Sequence, residues 1–277
     1  MISFLKVVNC GVIIILAYIY IAKTKILVSL SYRFEVFTGI LANLILMIAT
    51  VFFWKVAYKG IDQVSGVNLK QMITYSVIVA LLGTIFTFDV ENVINDRIRQ
   101  GDIAMDFIKP VNVFALYFAQ DVGGIISSFV QKFIPLLVFV MIFIGVPVPK
   151  SIPHFILFCI SSIFSYLILW LMSAIVGVLD FWLIDLGPVG FIRDVIVRIL
   201  SGSVIPIWFF PDFLQRIIGY TPFTYTYQLP AGIFIGKAGL KEGGVSIFTQ
   251  LVWIFILFSL LYFMQARARK RLLVQGG

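Results

Sequence analysis

Charge is what this chain has least of. Asp, Glu, Lys and Arg make up 12% of its 277 residues, about half the share of a soluble domain. Hydrophobic residues make up 61% and the mean hydropathy is +1.07, so too little polar surface remains to wrap a soluble core. A single histidine, His154, cannot build a metal cluster. It follows Pro153 at the end of a loop and reads as a solvated interface residue. Two cysteines, Cys10 and Cys159, stand in apolar surroundings without CxxC spacing, which indicates neither a disulfide framework nor a thiol site. No HExxH zinc motif and no Gly-x-Ser-x-Gly nucleophile elbow occurs. Gly232-Ile-Phe-Ile-Gly-Lys237 fails as a phosphate-binding loop. Three residues separate its glycines instead of four, and Ala238 stands where Ser or Thr would bind Mg²⁺. Leu200-Ser-Gly-Ser203 makes no nucleotide signature either. The chain reads as a non-enzyme with no metal site and no cofactor of its own.

What the sequence has is long apolar runs, rich in its 28 phenylalanines. A helix crossing a bilayer needs about 20 apolar residues. The runs predict an all-α polytopic membrane protein with six transmembrane helices, near residues 38–57, 71–88, 122–146, 155–179, 189–209 and 245–265. Residues 111–121 read as a lead-in piece lying partly at the inner surface. The fifth span carries Arg193 and Arg198, which must snorkel or face a polar interior. The C-terminal Arg267-Ala-Arg-Lys-Arg271 stretch places that end in the cytoplasm. An even number of spans puts the N-terminus there too, with Lys6, Lys23, Lys25 and Arg33 in agreement. The formal net charge of +8 follows from this topology and calls for no nucleic acid. Residues 7–22 are open to three readings: a cleaved signal peptide, a short span, or an uncleaved interface helix. The amphipathic spacing of 26–37 favours the last, giving an amphipathic N-terminal interface helix over 1–37.

Between the second and third spans lies the densest charge in the chain. Residues 95–111 interleave Asp96, Asp102 and Asp106 with Arg97, Arg99 and Lys109, and Pro110 closes the run. An ionised side chain at mid-bilayer costs roughly 2.5–3.5 kcal/mol even on lenient scales, so this segment sits in water. Ile98, Ile103, Met105, Phe107 and Ile108 would give a short helix a mixed charged and apolar surface, suited to docking on a soluble partner. A plain solvated loop is the other reading. Residues 201–237 are the opposite case, with Gly202, Pro206, Pro211, Gly219, Pro222, Pro230, Gly232 and Gly236 set among aromatics. Broken apolar backbone at membrane depth must be covered by protein or line a cavity, which predicts short re-entrant helices from the outer face. A translocation surface would involve spans two and five from each half of a pair, with Phe86, Phe88 and Trp208 as candidate lining residues, core packing being the other role for each. An ion-coupled carrier would need paired intramembrane charges and repeated halves. Asp121, Lys132, Asp180 and Asp185 are the only candidates, and no internal repeat is present.

The order of these features resembles the permease subunit of a type-2 ABC exporter over nearly the whole chain. Tyr32-Arg33 lies in the N-terminal segment. Arg97, Arg99, Gly101, Ile103, Phe107, Ile108 and Pro110 match the pattern after the second span. Gly202-Ser-Val-Ile-Pro206, Pro211, Pro222-Phe223 and Gly236 match the outer re-entrant pattern. Arg97 stands where many members carry Glu, and Asp102 where many carry Thr. The resemblance implies one permease domain, with residues 89–110 as a cytoplasmic coupling segment, in the cell membrane. It implies ATPase-coupling roles for Asp96, Arg97, Arg99, Gln100, Gly101, Asp102 and Asp106. It implies as partners two copies of an ABC ATPase carrying the ATP and Mg²⁺, a second permease, identical or homologous, in a dimer, and membrane lipid. The transport implied is export of an amphiphile such as a drug, lipid, peptide or glycan precursor. An ion-coupled secondary transporter remains the alternative.

Overall fold

Glycine, proline and short polar caps decide where this chain of helix formers turns. The computed structural model describes residues 2–108, 111–145, 147–183 and 187–275. Lys109, Pro110, Val146 and Asp185 therefore lie outside the described residues. Helix α1 (Ile2–Ser29) is followed after a short turn by α2 (Arg33–Ala57). A two-stranded hairpin, β1 (Gln63–Val64) and β2 (Val67–Asn68), leads into α3 (Leu69–Ile85). Asn68 caps α3 reciprocally with Gln71, satisfying donors the first helical turn leaves orphaned. Helices α4 (Val90–Arg99) and α5 (Ile103–Ile108) carry the dense charge. Then come α6 (Val113–Ser128), a π turn at Phe129–Phe133, α7 (Ile134–Phe143) and α8 (Ile152–Leu179). Helix α9 (Gly187–Leu200) precedes the broken region, which holds α10 (Asp212–Gly219) and α11 (Gln228–Phe234). The chain closes with α12 (Leu240–Gln275).

The fold is all-α and polytopic. Among the described residues, five helical stretches are long and apolar enough to cross a membrane: Arg33–Ala57, Leu69–Arg99, Val113–Phe143, Ile152–Leu179 and Leu240–Lys270. The predicted fifth span, 189–209, takes a different form. It is the 14-residue α9 followed by irregular chain. Gly202 sits at a φ of +76°, a left-handed conformation that ends a helix at little cost to glycine, and Pro206 offers no N–H to continue one. The lead-in piece before the third span also differs. Residues 113–143 form one continuous rod, started by Asn112 accepting from the backbone N–H of Phe114 and Ala115. Gly123 does not break it. That position is pressed against α1, where a Cβ would collide with the backbone of Ala22.

Helix α8 is the hub. α12, α11 and α4 all pack on it, through small residues that let backbones approach. At Gly177, a Cβ would stand 3.0 Å from Ile94 Cδ1 and 3.1 Å from Glu91 Cα. Between membrane helices the lateral drive is van der Waals packing and hydrogen bonding, since lipid tails are as apolar as Leu. The broken region is held in that way. Its α11 is buried from Leu229 to Phe234, and polar side chains of the long helices reach its exposed carbonyls. Tyr75 Oη donates to Gly202 O at 2.7 Å, Ser165 Oγ to Tyr225 O at 2.9 Å, and Gln71 Nε2 to Ile235 O at 3.2 Å. Gln250, fully buried on α12, donates to Tyr225 O (2.8 Å), Ser161 O (3.1 Å) and Ser165 Oγ (3.0 Å). Gln250→Leu keeps the shape and strips these donors. It is expected to destabilise the protein by about 1–3 kcal/mol, read as a lowered melting temperature in detergent. An unchanged melting temperature would show that Gln250 holds nothing in place.

Candidate functional site: the charged knob and the cavity behind it

The charged segment is a knob of two helices instead of one. Gly101, at a φ of +77°, turns the chain between α4 and α5 in a conformation that costs a residue with a Cβ roughly 1–2 kcal/mol. Arg97 ties the two helices together. Its guanidinium lies 3.2 Å from Asp102 Oδ2 and 3.5 Å from Asp106 Oδ2. Asp106 is 3% exposed and accepts from Tyr117 Oη of α6 at 2.8 Å. Phe107 lies between the bundle's helices, with the Arg269 guanidinium carbon 4.9 Å from its ring and the Phe181 ring 6.3 Å away. Ile103 is buried. With these side chains turned inward, α5 presents Ala104, Met105 and Ile108 outward, the last two 64% and 76% exposed. Asp96, Arg99, Gln100, Gly101 and Asp102 surround them on the exposed side. Of the seven residues singled out from the sequence, Arg97 and Asp106 thus brace the knob from within, and the other five line its open face.

Behind the knob, α4 is wired into the bundle by polar contacts. Glu91 pairs with Arg193 of α9, and both side chains are 13% exposed. Ser173 Oγ of α8 donates to Glu91 Oε2 at 3.4 Å. Just before α4, Asp89 receives Lys25 Nζ of α1 at 3.4 Å, and its backbone N–H donates to Asp121 Oδ1 at 3.0 Å. Trp170 Nε1 of α8 donates to Asp121 Oδ2 at 2.8 Å. A buried carboxylate is tolerable only when paired or hydrogen-bonded, and Asp121, 3% exposed, meets that condition through these two donors. Glu91, Asp89, Lys25 and Trp170 escaped sequence reasoning. The available signal was acid placed at helix ends beside apolar runs, which looks the same as ordinary boundary charge.

A cavity of about 590 Å³ opens beside this network, walled by α2, α3, α8 and α9. Phe86 and Phe88 line it, as their place near the end of the second span suggests. Phe86 packs on Tyr166 and Tyr227, with ring centroids 6.2 Å and 5.3 Å away. Phe88 lies 5.6 Å from the Arg193 guanidinium carbon. Trp208 is elsewhere, set edge-on to Tyr75 at 5.0 Å in the broken region. The structure therefore brings two of the three aromatic candidates together and separates the third. Among the described residues, no group of His, Cys, Asp and Glu is arranged to hold a metal ion.

Apolar helices thus surround a cavity of mixed polar and apolar lining, with a charged knob at one end. Residues 44–276 match the family described as ABC-2 family transporter protein, and the chain belongs to that family. Members are transport components and not themselves catalysts. The match leaves out α1 and the first turns of α2. Comparison with curated proteins finds no match.

Proposed function

We propose that this chain is the permease subunit of an ATP-driven exporter in the cell membrane, working with two copies of a separate ATPase. A second permease, identical or homologous, completes the dimer, and an amphiphile is the cargo. The observation that carries this reading is the open face of α5. An apolar patch ringed by charge, on a braced two-helix knob, is the form expected of a peg that stays seated in a partner's groove. The knob and the basic stretch Arg267–Lys270 share one end of the bundle, since Arg269 lies over Phe107. The excess of Lys and Arg on the inner side supports placing that end, with both termini, in the cytoplasm.

ATP and Mg²⁺ bind on the partner. Closure of the paired ATPases pushes α4 and α5, and the contacts behind them carry the push in two directions. Glu91 moves with Arg193, and so with α9 and the cavity wall. Asp89 moves with Lys25, and so with α1. The ion-coupled alternative finds less support, because Asp121 is engaged by Trp170 and by the Asp89 backbone.

The test is gentle-detergent purification of the tagged protein from its native host, with mass spectrometry of what accompanies it. A stoichiometric ABC ATPase is expected. Recovery of the protein alone, even after crosslinking, sinks the proposal. In the assembled transporter Arg99→Glu, on the knob's open face, is expected to abolish substrate-stimulated ATP hydrolysis while leaving membrane insertion intact. Unchanged turnover in that variant would remove the knob from the mechanism.

A further inference from the structure

The charges of the 590 Å³ cavity all enter from one wall. Residues of α2, α3 and α8, three of the helices able to cross a membrane, form most of the rest, and Thr87, Phe88 and Asn92 close it at the knob end, so the cavity lies between apolar helices toward that end. Helix α9 brings Arg193, Asp194 and Arg198 to it, and Asp194 is the only acid among the lining residues. Arg193 is neutralised twice over, by Glu91 and by Asp194, whose Oδ1 lies 2.8 Å from its Nη2. Arg198 has no ion pair among the described residues. Glu91 and Asp194 balance the two arginines in number, yet the exposed Arg198 guanidinium makes no ion pair with either and faces a space otherwise lined by amide, hydroxyl and apolar groups. A cation without a partner between apolar helices is costly to insert and marks a ligand path more often than a scaffold. A guanidinium is a planar fork of donors whose geometry matches a carboxylate or phosphate. Opposite it, Met47, Val79 and Met172 offer an apolar wall, and the volume lies within the range of small-molecule sites, about 300–1,000 Å³.

We infer that this cavity takes amphiphiles by an acidic headgroup, carboxylate or phosphate, held by Arg198, with the tail laid against the α2–α3–α8 wall. This deepens the export reading by naming the class of cargo, but the binding itself needs no ATPase. The two proposals can therefore fail separately.

The experiment uses the full chain purified in a neutral maltoside detergent and a fluorescent dodecyl phosphate, followed by polarisation. Unlabelled dodecyl phosphate and laurate are expected to displace it at concentrations about tenfold or more below those needed for dodecyltrimethylammonium. Arg198→Gln should shrink that preference to about twofold or less, and Arg198→Lys should retain part of it. Phosphatidylglycerol distinguishes the two sources of an acidic headgroup. Displacement as strong as that by dodecyl phosphate assigns the site to membrane lipid, and weaker displacement assigns it to a single-chain cargo. Either result sustains the inference. Equal displacement by the anionic and cationic competitors in the unmodified protein overturns it, whether or not the variants fold. Undiminished selectivity in a monodisperse Arg198→Gln does so too.

Discussion

Met105→Asp is expected to strip the ATPase from the purified complex. Met105 projects from α5 with 64% of its surface exposed, next to Ile108 at 76%. A flexible thioether beside an aliphatic side chain suits a groove on a moving partner. Truncating an anchor of this kind costs about 2 kcal/mol or more, roughly a thirtyfold loss of affinity. Burying an unpaired carboxylate in the same groove adds a desolvation penalty. The knob itself should survive, because its bracing runs through Ile103, Asp106 and Phe107 on the other side of α5. Pull-down of the ATPase by tagged permease, with size-exclusion chromatography of the variant alone, checks both halves of the prediction. ATPase recovery at the unmodified level would mean that α5 is not the docking face.

Arg193→Met is expected to cost more in stability than any exposed charge change. The substitution leaves Glu91 buried with only the Ser173 hydroxyl beside it, and breaking a buried pair from one side costs about 3–5 kcal/mol. For a chain of this size that is a fall on the order of 10 °C in melting temperature. The companion Glu91→Gln in the same chain removes the stranded charge and should recover most of the loss, as double-mutant coupling requires for groups in contact. The pair also joins α4 to α9. The double variant should therefore fold yet, assembled with the proposed ATPase, give a weakened response of that ATPase to substrate. A double variant as unstable as the single one would show that Arg193 acts through its place over Phe88 and not through Glu91.

Much of the path to these residues is visible without coordinates. The scarcity of charge dictates membrane spans, and the isolated 95–111 segment has to lie in water because ionised groups do not remain in lipid. Glycines and prolines between 201 and 237 rule out a continuous span there, and the structure answers with short helices whose carbonyls Tyr75, Ser165 and Gln250 satisfy. Where expectation and structure part, the cause is tertiary. Residues 189–209 are apolar enough to read as a span, yet Gly202 turns left-handed where Tyr75 and Gln228 crowd it. Residues 113–121 carry Gln120 and Asp121 and read as a surface piece. Trp170 and the Asp89 backbone satisfy that carboxylate inside the bundle, and the helix runs straight through.

The sequence alone determined that this is an all-α membrane protein and roughly where the helices near 38–57, 71–88 and 155–179 lie, and it argues that the charged 95–111 segment faces water. These follow from local properties: transfer cost per residue, helix breakers and caps. The tertiary structure alone decided that Arg97 and Asp106 brace the knob while Met105 and Ile108 face out. It also decided that Glu91 meets Arg193, and that Arg198 lines a cavity with no ion pair among the described residues. Those outcomes depend on which charge lies opposite which across helices far apart in the chain, and a carboxylate or guanidinium carries no mark of its partner until packing brings the two together.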